Sequence, residues 1–209
     1  MPKAPRNSSS SAPKASTSTR QQGSLRIIGG QWRSRKLDFE GAAGLRPTSD
    51  RIRETLFNWL NPTIHGARCL DLFAGSGALG LEALSRYAAH CDFVDTDRNS
   101  CQQIRQQLEN LRCPHATVHS KEALAFLGKS AQSYNIIFLD PPFHLDLLAP
   151  VIANLAKQAL KPHTQIYIET ASDEALPALP ANWQIDKEKK AGQVVYRLIS
   201  VTEDLEQPA

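Results

Sequence analysis

The 209-residue chain has one Met, four Cys and only 7% aromatic residues. It lacks any run of about 18 consecutive apolar residues, so a membrane-spanning helix is not expected. Its first residues carry no apolar stretch of the kind that heads a secretory signal. Cys69, Cys91, Cys101 and Cys113 show neither CxxC spacing nor nearby His partners. That excludes the common zinc patterns and gives no sign of a disulfide framework, so no metal is expected. Cys69 and Cys91 fall in segments that read as buried strands. Reduced thiols in a cytoplasmic protein with no membrane association are the resulting expectation.

The small net charge of +3 conceals an asymmetry. Residues 1–53 carry 11 Lys or Arg against 3 Asp or Glu, whereas residues 54–209 carry 13 against 18. A basic N-terminal part on a mildly acidic body suits a polyanionic partner approached from one side, or else a solvated tail that aids solubility.

Residues 1–24 are rich in Ser, Thr, Pro, Lys and Ala and have almost no bulky apolar residue. They cannot offset chain entropy by burial, and we read them as a disordered basic tail. Residues 25–28, a tight turn at Gly29-Gly30 and residues 31–39 read as a hairpin. A helix capped by Ser49 or Asp50 follows to about Leu60, with Ile52, Leu56, Trp59 and Leu60 on one face. From residue 68 strands and helices alternate. Strands are expected at 69–73, 91–95, 117–119, 134–139 and 165–169, and helices at 79–88, 99–111, 123–127 and 147–160. Cys101, Ile104, Leu108 and Leu111 form the inner face of the second of these helices, and Pro150 must sit in the first turn of the last. Residues 183–189 and 193–201 read as a terminal hairpin turning at Ala191-Gly192. This alternation implies an α/β fold, with a parallel sheet covered on both faces and an antiparallel edge.

Gly75, Gly77 and Gly80 match GxGxxG between the first strand of the body and its helix. Asp95 closes the second strand 20 residues after Gly75. A carboxylate there can accept hydrogen bonds from both hydroxyls of a ribose. Asp97 is the alternative acceptor. Asp71, ending the first strand, can hold the glycine loop or meet an amino group of a ligand. The loop by itself does not choose between a nicotinamide cofactor and S-adenosylmethionine.

Asp140-Pro141-Pro142-Phe143 follows the fourth strand and is the most specific signal in the chain. Two prolines remove two backbone donors and stiffen the turn. What remains is a set of acceptors, the Asp140 carboxylate and the Pro141 carbonyl, beside an aromatic ring. That set can hold the two N–H bonds of an exocyclic amine and aim its lone pair at an electrophile. Phe143 can stack on an extruded base, an interaction worth roughly 1–3 kcal/mol, against an unstacking cost of a few kcal/mol. Asp140 is also a candidate acceptor for the released proton.

The loop from Asp71 to Gly80, including Phe73, resembles the first motif of class I S-adenosylmethionine-dependent methyltransferases. Asp140 to Phe143 resembles the (Asn/Asp)-Pro-Pro-(Tyr/Phe) motif of amino-methyltransferases. Three further stretches look like the bacterial ribosomal RNA small subunit methyltransferase D family: Arg26-Ile27-Ile28-Gly29-Gly30-Gln31-Trp32-Arg33, the segment from Leu45-Arg46-Pro47 to Thr55-Leu56-Phe57, and Ala191-Gly192-Gln193-Val194. The resemblance covers about residues 25–200. It implies a Rossmann-like, mostly parallel seven-stranded sheet and methylation of the N2 amine of one guanine in 16S rRNA, free or within the small subunit. It also implies a ribose contact at Asp95 and places Glu122 near the adenine, a residue that otherwise reads as a helix cap. The implied organisation is a tail (1–24), an RNA-binding extension (25–62), a methyltransferase domain (63–202) and a short tail (203–209), acting as a monomer.

Trp32, Arg33, Arg35, Lys36, Arg46, Arg51 and Arg53 are the candidate RNA contacts, since Arg and Lys suit phosphates and Trp can stack on a base. Trp32 can equally anchor the hairpin, and Arg51 and Arg53 can pair with acids on the body. Three competing readings are a DNA adenine or cytosine amino-methyltransferase, a non-catalytic nucleic-acid-binding module and a nicotinamide oxidoreductase.

Overall fold

The structure, a computed structural model, describes residues 21–41, 49–128, 133–158 and 160–203. A two-stranded antiparallel ribbon, β1 (Gln21–Arg26) and β2 (Lys36–Gly41), precedes α1 (Asp50–Leu60). The body then runs β3 (Arg68–Asp71), α2 (Ala78–Ser85), β4 (His90–Asp95), α3 (Arg98–Asn110), β5 (Ala116–Ser120), α4 (Ala123–Leu127), β6 (Ile136–Leu139), α5 (Leu148–Lys157) and β7 (Gln165–Ala171). It ends in the hairpin β8 (Trp183–Ala191) and β9 (Val194–Val201). Seven strands form one sheet in the order β5-β4-β3-β6-β7-β9-β8, parallel except for β9 and β8. This is the α/β Rossmann-like architecture that the alternation and the resemblance imply.

Local chemistry accounts for the helix starts. The Ser49 hydroxyl accepts the Ile52 amide, and the Asp97 carboxylate accepts the amides of Asn99 and Ser100. Pro150 sits in the first turn of α5, where its missing N–H leaves no intrahelical bond unmade. On α3 the expected inner face, Cys101, Ile104, Leu108 and Leu111, is buried.

Two expectations at the N-terminus need correcting. Residues 21–24, assigned to the tail, belong to β1, where Gln21 pairs with Gly41 and Ser24 with Asp38; residues 1–20 lie outside those described. Backbone pairing needs no apolar side chain, so composition gave no sign of it. The tight turn at Gly29-Gly30 is instead a 3-10 turn, Gly30–Trp32, and the second strand begins only at Lys36. Tertiary contacts hold that segment off the ladder. Gln31 Nε2 donates to the Leu84 carbonyl at 3.2 Å, and the Trp32 amide donates to Ser85 Oγ at 3.0 Å. A Cβ on Gly30 would collide with the Ser85 carbonyl, so only glycine allows this approach to α2.

The ribbon and α1 do not form a separate core. Leu25, Ile27, Phe39, Leu56 and Phe57 belong to the same apolar cluster as Cys69, Phe93, Ile104 and Phe138 of the sheet and α3. Glu82, fully buried on α2, fixes the join: its carboxylate accepts the amides of Ile28 and Gly29, each at 2.8 Å, and Arg86 Nε at 2.8 Å. The boundary expected between residues 62 and 63 therefore falls inside one packed unit. Cys69, Cys91 and Cys101 are buried, Cys113 is half-buried, and all four are free thiols. Among the described residues no helix is long and apolar enough to cross a membrane.

Candidate active site

Chain order runs outward from β3 to β4 and β5, then returns to β6 on the other side of β3. This reversal opens a crevice at the C-terminal ends of β3 and β6, where open α/β sheets bind ligands. A cleft of about 830 Å³ lies there. Asp71, Phe73, Gly75, Asp95, Glu122, Asp140, Pro141 and Phe143 all line it. The sequence had these on four separate connections, and the fold brings them together.

The glycine loop is held by the two carboxylates beside it. Asp95 Oδ2 accepts the Gly75 amide at 2.7 Å, while its Oδ1 accepts the Asp97 amide at 2.8 Å. Asp71 Oδ2 accepts the Gly80 amide at 2.9 Å. The Gly77 amide bonds the Ala74 carbonyl at 2.6 Å. Gly77 has φ +78°, and a Cβ on Gly80 would strike the Phe93 ring. Gly77 and Gly80 therefore serve the turn and the helix–sheet packing rather than lining the cleft. Three amides that could have cradled a pyrophosphate are spent on protein acceptors.

Asp95 and Asp97 differ in place: Asp97 caps α3, whereas Asp95 lines the cleft. Asp97 Oδ2 accepts both the amide and the hydroxyl of Ser100, at 2.9 and 2.8 Å. Asp95 lines the cleft and, with two of its roughly four acceptor positions used, keeps two for a ligand. Glu122 stands at the N-cap of α4 without a side-chain capping bond, and its exposed side chain faces the cleft.

The electrostatics favour a cation. Burial pushes the Asp71 carboxyl up to about 7; the Gly80 amide opposes this, and the charges of Asp140 and Asp95 add to it. Three carboxylates close enough to repel one another make this end of the sheet a poor home for a pyrophosphate and a good one for a positively charged ligand. Asp140 is half-buried, Pro141 buried and Phe143 half-buried. The segment after them is braced by Glu174, which accepts the His144 amide at 2.6 Å and the Ala171 amide at 3.1 Å. No motif pointed to Glu174, nor to Leu124 and Leu145, two exposed apolar side chains that also line the cleft.

The candidate RNA contacts fare differently. Arg53 is fully buried: its Nη2 donates to the Arg26 carbonyl at 2.9 Å and to Asp50 at 2.6 Å, and its Nη1 lies 3.7 Å from Glu82. It is a structural strut, not a phosphate contact. Trp32 is buried and anchors the ribbon, so it has no face to offer a base. Arg33, Arg35, Lys36 and Arg51 are exposed. The first three adjoin Trp32, beside the last residue of α2, about 10 Å along the helix from the cleft. Arg46 lies outside the described residues.

A family described as conserved hypothetical protein 95 matches residues 25–200. Ribosomal RNA small subunit methyltransferase D of Escherichia coli (strain K12) is 51% identical over 177 residues, which span 84% of this chain and 89% of that one. The protein of the same name from Haemophilus influenzae (strain ATCC 51907 / DSM 11121 / KW20 / Rd) is 46% identical over 182 residues, spanning 85% and 94%. The solved structure of Escherichia coli yhhF superposes with a TM-score of 0.79 at 48% identity, covering 86% of this chain and 99% of the other.

Proposed function

From the premise that the chain belongs to the ribosomal RNA small subunit methyltransferase D family, we propose that it transfers a methyl group from S-adenosylmethionine to the exocyclic N2 amine of a guanine in 16S rRNA. The observation that carries the reading is the shared cleft: an acidic, glycine-turned strand end and the acceptor-rich Asp-Pro-Pro-Phe segment both line it.

The residues fit the cofactor. Asp95 has acceptors left for ribose hydroxyls, Glu122 stands farther along the same wall, and Asp71 offers a buried carboxylate to a cationic amino-acid end. When bound, S-adenosylmethionine supplies a sulfonium-activated methyl group. The Asp140 carboxylate and the Pro141 carbonyl accept the two N–H bonds of the target amine. This turns the nitrogen lone pair toward the cofactor side and favours its pyramidal, nucleophilic form. Phe143 stacks on the base and offsets part of the unstacking cost. In this reading Asp140 also takes the proton the amine loses. Positioning and fixed electrostatics supply the acceleration.

The test is methyl transfer to rRNA and small subunits lacking the modification, with duplex DNA alongside, followed by mass-spectrometric mapping of the product base. N2-methylguanine in 16S rRNA is the expected result. Transfer only to DNA, or to an adenine or cytosine amine, would replace the reading.

A further inference from the structure

The burial of Trp32 and Arg53 leaves the expected basic arm with fewer groups to hold a polyanion, so other cations must be found. The edge strand β8 supplies them. Its sequence mixes both signs, Asp186-Lys187-Glu188-Lys189-Lys190, and so carries a net charge of only +1. A strand sends successive side chains to opposite faces, and here that sets Lys187 and Lys189 on one face and Glu188 and Lys190 on the other. Lys187 pairs with Leu198 and Lys189 with Tyr196, and both partners belong to the apolar cluster on the α1 side of the sheet. Glu188 instead accepts Arg197 Nε at 2.6 Å, and Arg197 reaches Thr170. Asp186 accepts the Ser200 hydroxyl at 3.1 Å. The acids are engaged along the strands while the two lysines stand beside α1.

Helix α1 continues this surface. Arg51, Thr55 and Trp59 recur every four residues and so share one side of the helix. Trp59 stacks on Tyr196 of β9 with ring centroids 5.4 Å apart, and Lys189 Nζ lies 5.9 Å from the Trp59 centroid. The side of α1 that bears exposed Arg51 therefore meets the lysine face of β8. The β8–β9 turn lies at the catalytic end of the sheet, because Ala191 pairs with Val194 and Val194 with Ala171, the last residue of β7. Three strand spacings, roughly 14 Å, separate β8 from β6, which leads into Asp140.

We propose that Lys187 and Lys189 of β8, with Arg51 of α1, form a phosphate-binding rim that carries the RNA backbone beside the target nucleotide. The proposal rests on the rRNA reading above and adds where the substrate lies. Lysines on an edge strand also prevent sheet-to-sheet pairing, so the test must separate the two roles.

The K187Q/K189Q double variant of the full chain is compared with wild type for binding and methylation of unmodified small subunits between 50 and 300 mM salt. Two lost phosphate contacts lower the slope of log affinity against log salt by about 1.5. The rRNA KM should rise several-fold, with S-adenosylmethionine affinity unchanged in calorimetry and the protein still monodisperse on gel filtration. An unchanged slope and KM overturn the rim even if wild type methylates rRNA normally. Self-association of the variant with a wild-type slope in its monomeric fraction overturns it in favour of edge protection. If wild type neither binds nor methylates rRNA, the functional reading fails first and the rim with it.

Discussion

The Asp71 carboxylate, 2% exposed, accepts the amide proton of Gly80 at 2.9 Å and so ties the first turn of α2 to the end of β3. One buried acid thereby sets the shape of the glycine loop and brings negative charge to the floor of the cleft.

This has a pH consequence. Burial, reinforced by Asp140 and Asp95, raises the Asp71 pKa from 3.8 to about 7 despite the Gly80 amide. A raised carboxyl pKa contributes stability that is full below the unfolded value and is lost as pH rises through the folded one. The ligand-free protein should lose stability from this group between about pH 4 and 7. A cationic ligand prefers the ionised form, so S-adenosylmethionine affinity should fall as pH drops below about 7, approaching tenfold per unit. Calorimetry at pH 8, 7 and 6 measures this, and a flat profile contradicts it. D71N should abolish the dependence.

Asp140→Ala removes a carboxylate that the proposed mechanism uses in the transition state. The turnover rate should fall by about 10²-fold or more, with S-adenosylmethionine binding retained. Single-turnover methylation and a parallel titration separate the two effects, and near-normal turnover would remove Asp140 from the mechanism.

Asp95 and Asp97 should behave oppositely. D95A should weaken S-adenosylmethionine binding by loosening the loop at Gly75 and removing the ribose acceptor. D97A should leave affinity near wild type but cost about 0.5–2 kcal/mol through the lost α3 cap. Urea unfolding beside calorimetry checks both. An affinity loss confined to D97A would reverse the assignment.

Arg53→Met tests the strut. It leaves Glu82 buried beside fewer cations, and removing one partner of a buried pair costs roughly 3–5 kcal/mol. Arg86 remains on Glu82, so the lower end of that range is expected. Hydrogen exchange should quicken first in residues 21–41. Unchanged stability with weakened RNA binding would return Arg53 to the interface.

The site was legible where chemistry is local. Glycines at 75, 77 and 80, an acid ending the next strand and the Asp-Pro-Pro-Phe turn each meet a requirement of a few consecutive residues, and most of them line the cleft. Glu82 and Glu174 left no such mark, since their partners lie 53 or 54 and 30 positions away, apart from short-range bonds.

Sequence alone determined the alternation of strands and helices, the buried face of α3 and the loop and proline motifs, because periodicity, capping and steric freedom act over one or two turns of chain. The tertiary structure decided that Trp32 and Arg53 are interior, that β1 begins at Gln21, that Asp95 rather than Asp97 faces the cleft, and that the charges of β8 divide between two faces. Each of those depends on what packs against a residue from afar. A charged or aromatic side chain carries no local record of whether water or another helix will meet it.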